Sequence, residues 1–156
     1  MLDALGGTRI VAVAPRHVTF RAGSEQLACM SLSATGTLRW YARCCRTPLG
    51  NTPRDPRTSH VGLVHLALGS AADIEHSFGP VRMHVHRDGA HGRAPQNRAT
   101  SFVLAVLGYL RSLVGSRIGG GWRTNPFFDT AGRPRAQVEQ VSREQREELA
   151  RAAKAG

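Results

Sequence analysis

Lysine is nearly absent from this sequence, and acidic residues are scarce. Lys154 is its single lysine, whereas the other twenty cationic residues are arginines spread along a chain of 156 residues. With eleven acidic residues, the net charge is +10, and a potential of that sign attracts nucleic acid, anionic lipid or acidic small molecules. The arginines form no block of the kind that marks a nucleic-acid footprint. Their distribution argues against specific nucleic-acid binding.

Long apolar runs are also lacking. The longest covers residues 102–110 and continues past Arg111 only to Val114, well short of the roughly 20 residues that a membrane span needs. This segment predicts a buried helix over about 102–116. No membrane partner is expected.

Cysteine is sparse, and its number is odd. The three are Cys29, Cys44 and Cys45, two of them adjacent, and residues 1–7 contain no secretory leader with a basic start and an apolar core. A reducing, cytoplasmic location is therefore expected. Cys29 lies in a strand-like segment and is predicted to be a small buried hydrophobe, because free cysteine is among the most buried residue types.

Several common catalytic motifs are missing too, among them glycine-rich phosphate loops, paired-carboxylate motifs and Gly-x-Ser-x-Gly elbows. What remains is a chain of one-domain length with 41% hydrophobic and 21% charged residues, a composition typical of a globular protein. Alternating and β-branched segments favour strands. The predicted strands cover residues 8–14, 18–21, 27–32, 38–41, 59–68 and 81–86.

This pattern predicts a mainly β (α+β) fold with helices towards the C-terminal end. A single β-rich domain is expected over residues 1–136, with the buried helix near 102–116 inside it. A helical tail is expected over 137–156. Its start is indicated by Ser142 and Gln145, which have the spacing of a capping box, in which each side chain satisfies a free backbone donor.

The stretch from Leu38 to Thr52 concentrates the chemistry of the chain. It contains two of the three cysteines, one of the two tryptophans and one of the two tyrosines, and it passes from a strand-like run into a Thr-Pro-Leu-Gly-Asn turn. Arg43 and Arg46 flank Cys44 and Cys45, and neighbouring cations lower the pKa of a thiol towards the reactive thiolate. The pair therefore suits metal binding or nucleophilic catalysis. Two partly buried, inert thiols are the alternative.

A set of short segments over about residues 2–145 forms a distinctive pattern, whose most specific element is the run Cys44-Cys45-Arg46-Thr47-Pro48-Leu49-Gly50-Asn51-Thr52. The other elements are Leu2-Asp3-x-x-Gly6-Gly7-Thr8, Glu25-Gln26-Leu27-x-Cys29, Leu38-Arg39-Trp40-Tyr41-Ala42, Gly62-Leu63-Val64, Phe78-Gly79-Pro80-Val81-Arg82 and Pro126-Phe127-Phe128-Asp129. This pattern resembles an uncharacterised bacterial family within the superfamily of glutathione-dependent formaldehyde-activating enzymes and centromere protein V. The resemblance implies a zinc protein built from several small coiled β-sheets.

The resemblance also implies zinc as a cofactor and a small thiol such as glutathione as a partner. In the enzymes, a Cys-x-Cys near the N-terminus and a later Cys-x-x-Cys hold a structural zinc, while a middle group of cysteines holds the zinc near which the glutathione adduct reacts. The later pair falls at Ala42 and Cys45, so that alanine occupies one ligand position and Cys44 is a local substitute. The other groups would precede Met1. Cys44 and Cys45 are thus the candidate metal ligands.

Two thiols alone do not satisfy zinc, which requires four ligands, usually thiolate or imidazole. The strand predicted over residues 81–86 puts His84 and His86 on one face, and a solvated strand face is the alternative explanation for that pair. Four further histidines are available as ligands: His60, His65, His76 and His91.

Two main classes of function follow. By resemblance, a complete member is a carbon–sulfur lyase-like enzyme that acts on a glutathione adduct, and this chain is interpreted as a truncated or non-catalytic relative. The alternative is a metal-free β-fold interaction module, in which an exposed β surface favours a homodimer or another partner. A basic nucleic-acid binder is a third class, and its affinity would fall steeply with salt.

Overall fold

A mixed six-stranded sheet forms the body of the protein in the computed structural model, which describes residues 6–85, 90–93, 95–96 and 99–155. The strands lie in the order β1-β5-β4-β3-β2-β6. All neighbouring strands are antiparallel except β2 and β6, which are parallel. The strands are β1 (Ile10–Val13), β2 (Leu27–Ser31), β3 (Leu38–Ala42), β4 (Pro48–Thr52), β5 (Val61–Val64) and β6 (Val138–Gln140).

In the described ranges, three α-helices accompany the sheet: α1 (Ala71–Phe78), α2 (Ala99–Ile118) and α3 (Arg143–Ala155). The predicted mainly β, α+β class with a C-terminal helix is confirmed. In place of the several small sheets that the resemblance implied, the strands of the described ranges join one sheet. The predicted capping box is present at the start of α3, where the backbone N–H of Gln145 donates to Ser142 Oγ at 3.1 Å and that of Ser142 donates to Gln145 Oε1 at 3.0 Å.

The centre of the sheet is the β3–β4 hairpin. Its residues pair as Leu38 with Thr52, Trp40 with Gly50 and Tyr41 with Pro48, with a register shift between Trp40 and Tyr41. The Pro-Leu-Gly-Asn segment was predicted to be a turn, and that prediction is wrong. Proline is tolerated at the first residue of a strand, where it opens β4. Gly50 is required by a close approach, because an added Cβ would lie 2.8 Å from the carbonyl oxygen of Gly62 on β5.

The core is built around Trp40. Its indole is 1% exposed, and its Nε1–H donates to Thr52 Oγ1 at 2.8 Å inside the core. The indole centroid lies 5.0 Å from the ring of Phe127 and 6.0 Å from that of Phe128, and Phe20 meets Phe127 edge-on at 5.2 Å. The Pro-Phe-Phe segment therefore covers one face of the central strands, and the side-chain nitrogen of the tryptophan has a partner.

Two predicted strands are not formed. Residues 18–21 lie outside the sheet, after a short 3-10 helix at Pro15–His17. Residues 81–85 join no strand, and the side chains expected to point inwards, Val81, Met83 and Val85, are exposed. Alternation alone is a weak signal, because a strand also needs a neighbour to pair with. His86, the last residue of that prediction, lies outside the described residues.

The boundaries of the predicted domain and helix also change. The segment after residue 136 contributes β6 to the sheet before α3 begins, so it is not a purely helical tail. The helix expected near 102–116 is present as α2, but its expected burial is not found. Among its exposed side chains are Val103, Leu104 and Leu107, at 53%, 69% and 57%. The helix contacts its own chain along one side, chiefly at the 3-10 helix Gly121–Thr124 that follows it.

Replacing Thr52 by valine tests the hydrogen bond in the core. Valine has nearly the shape of threonine but leaves the buried Trp40 Nε1–H without an acceptor, so we expect the free energy of unfolding to fall by about 1–3 kcal/mol. Urea titration followed by tryptophan fluorescence measures this loss. The exposed Thr130→Val substitution is the control, with an expected change within ~0.5 kcal/mol. Equal stability of the two variants would contradict the assigned role.

Candidate functional site

The two adjacent cysteines lie in the turn between β3 and β4. The backbone N–H of Arg46 donates to the carbonyl oxygen of Ala42 at 2.8 Å, and that of Ala42 donates to the carbonyl oxygen of Thr47 at 2.9 Å. Arg46 closes the turn in the left-handed region, with φ 58°, which a residue other than glycine adopts only at a cost. Cys44 and Cys45 are exposed as a consequence.

A second contact holds the turn from the side. The backbone N–H of Arg43 donates to the carbonyl oxygen of Gln26 at 2.8 Å. Gln26 ends the 3-10 helix Ser24–Gln26, directly before β2. The turn is therefore fixed both to its own hairpin and to the neighbouring strand, so that the two thiols are presented from a defined backbone.

The two thiols lie within contact distance of each other and of a hydroxyl. Cys44 Sγ donates to Cys45 Sγ at 3.7 Å, and Cys45 Sγ lies 3.0 Å from Thr47 Oγ1. The Thr47 hydroxyl lowers the pKa of Cys45, with help from the backbone N–H of Thr47 and from the Cys44 thiol. The pKa of Cys44 is raised, mainly because its proton is shared with Cys45. The pair is thus asymmetric, because the pKa of Cys45 is lowered and that of Cys44, its donor, is raised.

The cause of this asymmetry differs from the one expected. Sequence reasoning attributed thiol activation to Arg43 and Arg46, but the pKa of Cys45 responds to hydrogen bonds from Thr47 and Cys44. Arg46 is instead directed at Tyr41, with its guanidinium carbon 5.5 Å from the ring centroid and Nη1 donating to Tyr41 Oη at 3.4 Å. Thr47 was overlooked, although a hydroxyl residue two positions after a cysteine in a turn was visible in the sequence.

Tyr41 connects the turn to the edge of the sheet. Its hydroxyl donates to Glu139 Oε2 on β6 at 3.2 Å, across the intervening strand β2. Burial, together with this hydrogen bond, raises the pKa of Tyr41. Arg46, Tyr41 and Glu139 therefore form a chain of contacts from the turn to β6. These contacts restrict the exposed side chain of Arg46.

The other predicted site residues are dispersed. Cys29 is 1% exposed, and burial raises the pKa of its thiol to about 11, which confirms the predicted buried cysteine. His60 meets Tyr109 of α2 edge-on at 4.9 Å, and burial lowers its pKa. His65 Nδ1 lies 3.3 Å from the carbonyl oxygen of Arg9. Within the ranges that the structure describes, no group of three or more His, Cys, Asp or Glu residues is arranged to hold a metal ion.

Alkylation with iodoacetamide tests the assignment of the thiols. We expect Cys45 to react first, Cys44 more slowly, and buried Cys29 only after unfolding, because the thiolate is the nucleophile. A lowered pKa keeps Cys45 reactive to lower pH than Cys44. The Thr47→Val substitution removes the donor, raises the pKa of Cys45 and slows its alkylation near neutral pH by roughly 3- to 10-fold.

Mass-spectrometric peptide mapping across about pH 6–9 follows each thiol separately. Thr130→Val changes an exposed threonine far along the chain from the turn and should leave the three rates unchanged. An unaltered pH profile of Cys45 in the Thr47→Val variant would contradict the proposed origin of its reactivity.

Comparison with known proteins places the chain in a family without a known function. Along the described part of the chain, no helix is long and apolar enough to cross a membrane. No curated protein and no solved structure gives a significant match. Residues 1–139 match the family model described as Family of unknown function (DUF6151). Because the match covers most of the chain, the protein belongs to this family.

Proposed function

We propose that the protein binds small thiols, of which glutathione is the example, by disulfide exchange at Cys45, as a relative of the glutathione-dependent formaldehyde-activating enzymes that has no lyase activity of its own. The observation that carries this proposal is the geometry of the turn. An exposed Cys45 Sγ lies 3.0 Å from the Thr47 hydroxyl and 3.7 Å from the Cys44 thiol. A hydroxyl and a thiol therefore both lie against one accessible sulfur.

The exchange step is a displacement at sulfur. The Cys45 thiolate attacks one sulfur of a small disulfide, a new bond forms between Cys45 and that sulfur, and the original S–S bond breaks. The other half leaves as a thiolate with the electron pair of the broken bond. A second small thiol reverses the step by attacking the mixed disulfide, so the bound molecule is released without a net change in the protein. Thr47 and Cys44 stabilise the Cys45 thiolate before attack.

Charge favours acidic thiols over neutral ones. The chain carries a net charge of +10, and Arg43 and Arg46 are exposed next to the two cysteines. A positive potential raises the local concentration of anionic molecules and their rate of encounter. Glutathione is anionic at neutral pH because it has two carboxylates and one amine. The turn therefore suits glutathione disulfide better than an uncharged disulfide.

The donor set fits thiol exchange better than a structural zinc site. Cys44 and Cys45 supply two thiolates, adjacent residues rarely chelate one ion comfortably, and a closed zinc site takes four ligands. Their surroundings supply hydrogen-bond donors: the Thr47 hydroxyl and backbone N–H groups. Among the described residues no third ligand completes the pair. If zinc binds, Cys44 and Cys45 are the residues that would hold it, and its chemistry would be to stabilise a bound thiolate.

A second candidate function is the interaction module. It is favoured by one observation, the exposed apolar surface of α2. That surface is far along the chain from the cysteine turn, and the two functions are compatible in one protein.

Incubation with glutathione disulfide tests the thiol-binding function. We expect one glutathione per native chain, attached at Cys45 and removed by dithiothreitol, as read by intact-mass and peptide mass spectrometry. Cys45→Ser should abolish the adduct. Cys44→Ala should keep it but slow its formation, on the order of 10-fold at neutral pH, because a donor to the Cys45 thiolate is lost.

A charge substitution next to the cysteines distinguishes electrostatic recognition of glutathione disulfide from the intrinsic reactivity of Cys45. Arg43→Glu should slow the reaction with glutathione disulfide several-fold at low salt and leave the rate with uncharged 2-hydroxyethyl disulfide nearly unchanged. Modification of Cys44 in preference to Cys45, or equal reactivity of the native chain and a short peptide of residues 42–48, would rule out the proposal.

The zinc content of the protein distinguishes the thiol-binding proposal from the hypothesis of a zinc-dependent lyase. We expect protein purified without an affinity tag to contain much less than one zinc per chain, with Cys44 and Cys45 titratable as free thiols. Atomic absorption and thiol titration on the same sample measure both quantities. About one zinc per chain that is lost in Cys45→Ala would contradict this expectation, and would show that further ligands join Cys45 in a metal site.

A further inference from the structure

Helix α2 is apolar on two sides, but its own chain covers one of them. Ala105, Val106 and Leu113 are half-buried, and Tyr109 meets His60 at 4.9 Å, so these positions face the body of the protein. A surface helix normally carries charged and polar residues on its other side. Here the outer side carries Val103, Leu107, Leu110, Val114 and Ile118, at 53%, 57%, 49%, 57% and 83% exposed.

The outer side of α2 has the spacing of a helix-pairing seam. Val103, Leu107, Leu110 and Val114 follow one another at intervals of four, three and four residues, which is the repeat that keeps apolar side chains facing a partner helix. Leu104 and Ile118 flank this seam and are the two most exposed apolar residues of the helix. A helix with this outer face is complementary to another helix of the same kind.

The seam is symmetric about its own centre. Reading from either end, the order is Val, Leu, Leu, Val, and its midpoint lies between Gly108 and Tyr109. The midpoint of α2, which runs from Ala99 to Ile118, lies between the same two residues. A two-fold axis there would set Val103 opposite Val114 and Leu107 opposite Leu110 of a second copy. The two helices would overlap along their full length of about 30 Å.

Charge selects the antiparallel orientation. Arg111 and Arg117 are the charged residues of α2, which contains no acidic residue. A parallel pair would place Arg111 and Arg117 opposite their own copies, and like charges in contact destabilise a helix pair. In the antiparallel pair, the two copies of Arg117 lie at opposite ends, and the two helix dipoles run in opposite directions.

The exposed area is sufficient for a stable dimer. Six large apolar side chains of α2 are 49% to 83% exposed on the outer side and its borders: Val103, Leu104, Leu107, Leu110, Val114 and Ile118. At roughly 150–200 Å² for a fully exposed large side chain, they offer on the order of 600 Å² per copy, which corresponds to the lower end of the standard interface range, ~1,200 Å² in total. A second copy therefore matches this surface in size as well as in pattern.

We propose that α2 is the interface of an antiparallel homodimer, in which the outer seam Val103, Leu107, Leu110 and Val114 packs against the same seam of a second copy. The inference is independent of the thiol chemistry, because the cysteine turn contributes no residue to the seam. The apolar character of both sides of α2 follows directly: one side packs on its own chain and the other on the partner.

Sedimentation equilibrium of the full chain tests the dimer. With reductant present to exclude intermolecular disulfides, the wild-type protein is expected to be a dimer at ~50 μM. Leu107→Asp places a charge in the seam and should weaken dimerisation at least ~100-fold. Leu149→Asp is the matched control, since Leu149 is also a helical leucine at 57% exposure, and it should remain a dimer. Circular dichroism verifies that both variants fold.

Cross-linking tests the orientation. In a Cys44→Ser, Cys45→Ser background, Val103→Cys and Val114→Cys chains are expected to form a disulfide when mixed under oxidising conditions, and neither chain should do so alone. A cross-link in each variant alone would indicate a parallel pair and overturn the antiparallel geometry. A monomeric wild-type protein would overturn the proposal, even if that monomer binds anionic vesicles. A dimer that persists in folded Leu107→Asp would also overturn it.

Discussion

The buried hydrogen bond from Trp40 to Thr52 is the contact on which the rest of the structure depends. Trp40 and Thr52 lie on adjacent strands and on the same face of the sheet, because Thr52 is two residues from Gly50, the residue opposite Trp40. Their hydrogen bond therefore fixes the register of the β3–β4 hairpin inside the core. A slip of one residue would turn every side chain of one strand to the opposite face. The tryptophan ring also supplies the surface against which Phe127 and Phe128 pack. One side chain thus aligns the central hairpin and attaches the later segment to it.

The position of the thiols follows from that alignment. Once β3 and β4 are in register, the chain between Ala42 and Thr47 is short enough to be a single hydrogen-bonded turn. The turn brings Thr47 Oγ1 next to Cys45 Sγ, and Tyr41, near the end of β3, contacts Glu139. The reactivity proposed for Cys45 is therefore a property of the hairpin, because the same residues in an unfolded chain would have no reason to meet. Cys29, which pairs directly with Trp40 on the adjacent strand, is buried by the same core.

The cysteine turn and helix α2 represent two ways in which a small sheet protein uses its surface. The turn exposes polar, reactive atoms on a backbone held by hydrogen bonds, so its chemistry needs only a small molecule. Helix α2 exposes apolar side chains whose burial requires another protein surface. The two features are carried by different segments of the chain. A dimer would therefore present two thiol turns, one from each copy.

Local sequence determined the class of the fold and several of its parts. β-branched and alternating runs indicated β1, β2, β3 and β5, and the Ser142 and Gln145 pair indicated the start of α3, because these signals depend on neighbouring residues alone. Burial of Cys29 was also predictable from residue type.

Tertiary pairing decided the rest. β4 is a strand despite its proline and glycine, because it lies between β3 and β5 and Gly50 lets their backbones approach. The alternating residues 81–85 remain outside the sheet, since no strand accepts them. The identity of the group that activates Cys45, and the choice of which side of α2 is covered, depend on contacts between distant or folded segments. The sequence shows a hydroxyl residue two positions after Cys45 and apolar residues on both sides of α2. Only the folded chain shows that Thr47 lies against Cys45 and which side of α2 is covered.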